Sequence, residues 1–157
     1  MKYSNHIFAQ FSCFGGLLCL MLSLSSCFFA KHIHPIHVNI QAARYLNPDI
    51  HGEPSPVRLT FYELRNNTLF DKVEFFTLQD NSAAALQQTL IDQRSLMIRP
   101  KMQMNFTYQL SDDARYLGIV VSYRQLLYSE WKKIIVLYEK PVKHLKIFLA
   151  SNSFVIN

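Results

Sequence analysis

The sequence predicts a mainly β protein, in which two antiparallel sheets pack face to face as a sandwich and one or two short helices are inserted. Seven or eight short stretches of the 157-residue chain alternate apolar and polar side chains, as half-buried strands do. Turn-forming residues recur about every 8 to 12 residues, which leaves too little chain for the crossovers that parallel strands need. Helical spacing of apolar residues is confined to residues 68–92.

The first 26 residues are predicted to be an export signal. A short polar start with Lys2 precedes an apolar run, which is the order of a secretory signal peptide. Residues 24–27, Leu-Ser-Ser-Cys, place an apolar residue three positions before Cys27 and two small residues directly before it. This spacing resembles the lipobox of bacterial lipoproteins, in which the signal is removed and the cysteine receives diacylglycerol and an N-acyl chain. Cys27 is therefore the predicted lipidation site, with an uncleaved membrane helix as the alternative.

The mature chain is predicted to be held on a membrane by this lipid. Phe28 follows Cys27, where an aspartate would retain such a lipoprotein in the inner membrane. The expected location is therefore the periplasmic face of the outer membrane. Residues 27–36 are predicted to form the lipidated cysteine and a tether, and residues 37–157 the sandwich.

The first two strands are predicted on either side of a long loop. From His37 onward Val38 and Ile40 alternate with polar residues, which predicts strand one. Residues 46–56 then contain three of the six prolines, a density that no central strand or helix tolerates. Alternation returns over residues 57–64, which predicts strand two.

A helical stretch and the remaining strands follow. Leu69, Val73 and Phe76 fall at helical spacing, and Asn81 offers an N-cap to an alanine-rich segment that is predicted to continue to Ile91. From residue 96 the period of two returns. The side chains predicted to point into the core from these later strands are Met102, Met104, Phe106, Tyr108, Leu110, Leu117, Ile119, Val121, Tyr123, Leu145, Ile147 and Leu149.

The chain is basic, with 16 lysines and arginines against 11 acidic residues. Without Lys2 of the signal, 15 basic and 11 acidic residues give a net charge of +4. Nucleic-acid binding is disfavoured, because an exported protein rarely meets nucleic acid and no recognition motif accompanies the charge. The later lysines are instead predicted to form a solvated sheet face that opposes edge-to-edge pairing: Lys132, Lys133, Lys140, Lys143 and Lys146.

Residue types that carry catalysis or hold metals are scarce. The three cysteines lie at positions 13, 19 and 27 and the chain has only four glycines, which disfavours zinc knuckles and phosphate-cradling loops. His32, His34 and His37 form a local cluster, but four-coordinate zinc needs further ligands nearby. Asp112 and Asp113 are predicted to form a turn rather than a catalytic pair. No enzyme activity, no metal and no cofactor other than the covalent lipid is predicted.

The loop after strand one is predicted to bind a partner. It is longer than a strand connection requires, and its prolines reduce the entropy lost when one shape is presented. Ile50 and His51 are expected at its exposed tip. The alternative interpretation is a long connection that only crosses between the two sheets, and such a connection is compatible with binding.

Three blocks of residues, found after a lipobox, carry a resemblance to a known family. They are residues 46–49 (Leu-Asn-Pro-Asp), residues 52–59 (Gly-Glu-Pro-Ser-Pro-Val-Arg-Leu) and residues 62–64 (Tyr-Glu-Leu). Together they resemble TssJ, the outer-membrane lipoprotein family of the type VI secretion system.

The resemblance implies a transthyretin-like sandwich and a structural role. TssJ proteins recruit the periplasmic domain of the inner-membrane protein TssM, and with TssL they form an envelope-spanning membrane complex. The family's partner-binding element is the loop between the first two strands. Here the resemblance assigns it to Asn47, Pro48, Asp49, Ile50, His51, Gly52, Glu53, Pro54, Ser55 and Pro56.

A periplasmic sandwich that binds a glycan or a peptide is the alternative function. Such a protein needs an aromatic-lined cleft. Tyr62, Tyr116, Tyr128 and Trp131 are the candidates to line one, although aromatic residues on strands more often belong to the core. The placement of these four side chains discriminates between the two functions.

Overall fold

The computed structural model describes residues 34–157, which contain eight β-strands, three α-helices and two 3-10 helices. The strands are β1 (His34–Ala42), β2 (Val57–Leu64), β3 (Leu90–Ile98), β4 (Gln103–Leu110), β5 (Tyr116–Ser122), β6 (Lys132–Val136), β7 (His144–Leu149) and β8 (Phe154–Ile156). The helices α1 (Thr68–Lys72), α2 (Phe75–Asp80) and α3 (Ser82–Leu86) lie between β2 and β3. The 3-10 helices are Gln87–Thr89 and Leu126–Tyr128.

The strands form two sheets of four, which we call sheet A (β4-β1-β7-β8) and sheet B (β3-β2-β5-β6). The predicted two-sheet sandwich is confirmed. One strand pair departs from the antiparallel prediction, since β1 and β7 run parallel from His37 beside His144 to Ala42 beside Leu149. A parallel neighbour is possible here because the chain between the two strands builds all of sheet B and so supplies a long crossover.

The core lies between the sheets and is built from alternate residues of their inner faces. The period of two predicted the inward side correctly in β5 and β7, where Leu117, Ile119, Leu145 and Ile147 are buried. In β4 the predicted side is also correct, but Met104 and Phe106, and Met102 just before the strand, are only half-buried. The reason is that β4 is an edge strand of sheet A, with a neighbouring strand on one side only.

The three helices cover the outer face of sheet B. Phe70 of α1, Leu78 of α2 and Leu86 of α3 are buried there against Tyr62 and Val120. Because helices lie on one face and sheet A on the other, the middle of β5 is buried on both sides. Sheet B is therefore the central layer of three.

The helical segment differs from its prediction in which side chains face inward. Phe76, one of the residues at helical spacing, is 69% exposed, whereas Phe70, which does not share that spacing, is fully buried. A single helical period fails here because α1 ends at Lys72 and α2 starts afresh at Phe75. The predicted cap is confirmed, since Asn81 Oδ1 accepts a hydrogen bond from Ala84 N at 3.0 Å.

Two element boundaries in the structure differ from the sequence prediction by a few residues. Strand β1 begins at His34 rather than His37, because the last three residues of the expected tether already pair with β4. The helical insert, predicted near residues 68–92, ends at Thr89, and β3 begins at Leu90, which lies beside Leu64 of β2. In both cases pairing with a strand distant in sequence extends the strand beyond its local pattern. The predicted signal, residues 1–26, and Cys27 lie outside the described residues.

Lys132 does not lie on a solvated face as predicted. Its Nζ donates to the carbonyl oxygens of Phe70, Asp71 and Val73 at 3.1, 2.8 and 3.1 Å. Burial lowers the pKa of this ammonium, while nearby Asp71 and Glu74 oppose that shift. A cation at the carboxyl end of a helix satisfies its unpaired carbonyls, so Lys132 fixes α1 to the edge strand β6. Among the other predicted lysines, Lys140, Lys143 and Lys146 are exposed, whereas Lys133 is half-buried and pairs with Glu130 at 2.6 Å.

Gly118 of β5 allows α1 to approach sheet B closely. A Cβ atom at this position would lie 2.6 Å from Phe70 Cζ, far inside van der Waals contact. Because Phe70 is fully buried, its ring has no free space to enter. We expect Gly118→Ala to lower the free energy of unfolding by about 1–3 kcal/mol, measured by urea denaturation. Adding Phe70→Leu should recover part of the loss, and an unchanged unfolding midpoint in Gly118→Ala would contradict this packing.

Candidate functional site

Residues 47–56 join β1 of sheet A to β2 of sheet B, so the predicted binding loop is also a crossover at one end of the sandwich. Its base is held by Asn47, which is 4% exposed. Asn47 Nδ2 donates to Ser55 Oγ at 3.0 Å and to the Pro56 carbonyl at 2.9 Å, and its Oδ1 accepts from Arg124 N at 2.7 Å. Its φ of 48° is left-handed, a conformation that asparagine adopts more readily than most residues. Asn47 therefore closes the loop at its base.

Asp49 shapes the tip of the loop. Its Oδ1 accepts hydrogen bonds from His51 N at 2.8 Å and Glu53 N at 2.9 Å. Its carbonyl oxygen accepts from Gly52 N at 3.0 Å, which closes a four-residue turn with Ile50 and His51 at its centre. Gly52 has a φ of 80°, which a residue with a side chain would adopt only under strain. The tip is thus fixed by its own backbone and by one carboxylate.

The structure divides the ten predicted contact residues into those that hold the loop and those that it displays. Ile50 is 91% exposed, and His51, Gly52 and Glu53 are exposed with it. The exposure predicted for Ile50 and His51 is confirmed. Asn47 is buried, so its side chain holds the loop and is not displayed.

A second loop, residues 124–130, is bonded to the first. Arg124 Nε donates to Ser55 Oγ at 3.0 Å, in addition to the backbone bond from Arg124 N to Asn47. Leu127 and Tyr128 project from this loop with exposures of 93% and 79%. Sequence reasoning missed it as part of the site. The available signal was the run of apolar residues 126–128 in a connection between strands.

The turn between β7 and β8 completes this end of the sandwich. Asn47 N donates to the Ser151 carbonyl at 2.9 Å. Asn152 Nδ2 donates to the Tyr128 carbonyl at 3.2 Å. Three connections therefore form one bonded surface, which we call the loop end.

The four aromatic residues considered for a ligand cleft do not line one together. Tyr62 is buried against Phe70, and Tyr116 and Trp131 pack on the same cluster beneath the helices. Tyr128 lies apart, at the loop end. A cleft of about 550 Å³ opens at the opposite end, between the β4–β5 turn and residues 137–144, and none of the four lines it. The placement of these side chains does not favour the ligand-binding alternative.

That opposite end also contains a buried carboxylate which sequence reasoning missed. Glu63, at the end of β2, is 1% exposed and accepts a hydrogen bond from Ser111 N at 2.9 Å. The pKa of Tyr108 is raised by burial and by the neighbouring Glu63. Asp112 and Asp113 lie in a turn as predicted, and Asp113 pairs with Arg65 at 3.3 Å. These groups fasten the turn after β4 to sheet B.

Two histidines of the predicted cluster lie in β1. His34 and His37 belong to β1, and the His37 ring stacks on His144 with 5.4 Å between ring centroids. His32 lies outside the described residues. Within residues 34–157, no three His, Cys, Asp or Glu side chains are grouped to hold a metal ion. The same residues include no helix of the length and apolarity that a membrane crossing requires.

Residues 34–152 match the family model described as type VI secretion lipoprotein, VasD, EvfM, TssJ, VC_A0113. The chain belongs to this family. The match spans nearly all of the described domain and confirms the TssJ resemblance. TssJ lipoproteins are membrane-bound structural components of the type VI secretion system, so the chain is a scaffold lipoprotein and not an enzyme.

Solved structures of type VI secretion proteins share the fold. The type VI lipoprotein TssJ1 from Pseudomonas aeruginosa is 29% identical, with a TM-score of 0.74 over 80% of this chain and 96% of that one. Lip, a membrane-bound component of the system in Serratia marcescens, is 21% identical, with a TM-score of 0.71 over 78% and 96%. A chain of a type VI membrane complex is 21% identical, with a TM-score of 0.72 over 80% and 99%. No curated protein sequence matches the chain.

Proposed function

We propose that this TssJ-family protein is anchored through lipid on Cys27 to the periplasmic face of the outer membrane. There its 47–56 loop holds the periplasmic domain of a TssM-like inner-membrane protein, and through TssM it is linked to TssL. Family membership supports the partner. The observation that carries the choice of loop is a rigid, exposed tip that the rest of the domain does not cover, with Ile50 91% exposed.

The rigidity of the loop favours binding. Asn47, Asp49 and Ser55 hold its backbone through hydrogen bonds that are already made in the free protein. A loop ordered before binding loses less entropy when it meets a partner. An isoleucine displayed on such a loop makes almost no contacts within its own domain. Burying its apolar side chain in a partner's pocket therefore contributes favourable free energy to binding.

The direction of β1 supports the arrangement relative to the membrane. The strand is nine residues long, about 30 Å, and runs from the cleft end to the loop end. Seven peptide units separate Cys27 from His34, a reach of at most about 25 Å. A lipid on Cys27 would hold the cleft end near the bilayer. The loop end is then free to face the periplasm, where an inner-membrane partner presents its domain.

Single substitutions at the tip test the loop. We expect Ile50→Asp and His51→Ala each to weaken binding by about 1 to 2 kcal/mol, which corresponds to roughly 5- to 30-fold. The measurement is the affinity of the full-length lipoprotein in detergent micelles for the purified periplasmic fragment of the TssM-like protein. Tyr138→Asp is the matched control, because Tyr138 is exposed and lines the cleft at the opposite end of the sandwich. Wild-type affinity in both tip variants would show that these side chains do not contribute to the interface.

A further inference from the structure

The 47–56 loop is too small to be a complete protein interface. Stable interfaces use about 20–30 residues and about 800 Å² on each side. The loop has ten residues, and Asn47 and Ser55 are engaged in holding its own base. A domain that binds this loop, as the proposed function requires, must therefore also contact other residues of the loop end.

The exposed apolar side chains identify those residues. Among the described residues, the three large apolar side chains with the greatest exposure are Leu127 at 93%, Ile50 at 91% and Tyr128 at 79%. All three lie at the loop end, on two loops joined by the bonds of Arg124 to Asn47 and Ser55. Exposed apolar groups collected in one region mark interaction sites, whereas isolated ones are normal.

The 124–130 loop holds its apolar residues outward in a fixed shape. The turn is closed by Tyr128 N to the Gln125 carbonyl at 3.1 Å and by Ser129 Oγ to the Leu126 carbonyl at 3.0 Å. The β7–β8 turn is bonded to it through Asn152 Nδ2, at 3.2 Å from the Tyr128 carbonyl. A leucine that is almost fully exposed on a braced turn contributes little to its own fold. Its apolar surface can instead be buried against a partner.

We propose that the 124–130 loop is the second half of the interface, and that Leu127 and Tyr128 form with Ile50 one apolar docking surface. The occupant is the same periplasmic domain that binds the 47–56 loop, and it presents an apolar groove to this surface. Arg124 couples the two loops: its backbone and guanidinium keep them at a fixed separation, so one rigid groove can engage both.

The test measures the affinity of the full-length lipoprotein in detergent for the purified periplasmic fragment of the TssM-like protein. We expect Leu127→Asp to weaken binding at least tenfold and Tyr128→Ala to weaken it several-fold. Because both side chains are exposed, the urea unfolding midpoint should stay unchanged. Leu127→Ala serves as a milder variant that adds no charge. Tyr138→Asp, at the cleft end, is the control and should bind as the wild type does.

The outcomes separate this inference from the function on which it rests. A second variant, in which a short Gly-Ser turn replaces residues 48–54, tests the first loop. If that variant loses binding while the Leu127 and Tyr128 variants bind as the wild type does, the inference is overturned and the proposed function stands. Binding lost in Leu127→Asp but kept after that replacement supports the 124–130 loop and overturns the assignment to the 47–56 loop. Wild-type affinity in all of these variants overturns both.

Discussion

Replacing residues 48–54 by a short Gly-Ser turn should leave the sandwich folded and weaken binding to the TssM-like domain at least 100-fold. The ends of this segment already lie together, since Ser55 N donates to the Leu46 carbonyl at 3.0 Å and Asn47 bonds to Ser55. The replacement keeps Asn47 and Ser55, so the bonds to Arg124 persist. A change of loop length alters closure entropy only slightly. The variant therefore removes the displayed tip and retains its base.

The affinity measurement needs a folding readout and a matched replacement. Circular dichroism and the urea unfolding midpoint establish that the variant is folded. Exchange of Lys140 and Pro141, both exposed at the cleft end, for Gly-Ser is the control and should leave binding intact. A folded loop variant that binds as tightly as the wild type would move the site to another surface, with the basic segment of residues 131–146 as the next candidate.

Cys27→Ser should abolish lipidation completely and remove the protein from the outer-membrane fraction. Thioether formation needs the thiol, which serine lacks, and the lipobox spacing fits Cys27 better than either of the two earlier cysteines. The measurements are incorporation of radiolabelled palmitate and distribution on a membrane density gradient. Cys19→Ser provides a matched control and should label normally. A Cys27→Ser protein that still takes up palmitate would assign the lipid to another residue.

Local sequence pattern was sufficient for most of the strands and for the inner face of the core. Alternation in β5 and β7 reflects the pleat itself, so Leu117 and Ile147 were placed correctly without knowledge of their neighbours. Pairing between segments that are distant in sequence could not be predicted from the local pattern. The early start of β1, the parallel partner β7 and the bonds from Lys132 to α1 all depend on residues far away in sequence.

The position of the loop could be predicted from the sequence, but not which of its residues hold the loop and which are exposed. Proline density located the loop between β1 and β2 and indicated an exposed tip, which Ile50 confirms. The buried role of Asn47 depends on Arg124, which is 77 residues away, and no local signal indicates it. The same bond fastens the 124–130 loop, which carries Leu127, to the 47–56 loop. The apolar run 126–128 was a local signal for this loop, but its attachment to the 47–56 loop depends on the packing of three connections.

The central position of β1 in sheet A affects how the chain can fold after export. This first strand needs β4 and β7 as neighbours, and β7 is the second-to-last strand of the chain. A chain that emerges from a translocation channel with its amino end first would present β1 long before β7 follows. Such a high contact order slows folding and leaves the backbone donors and acceptors of β1 open to incorrect partners. The sandwich can close only when translocation is nearly complete, so the fold itself delays native structure until the chain has cleared the channel.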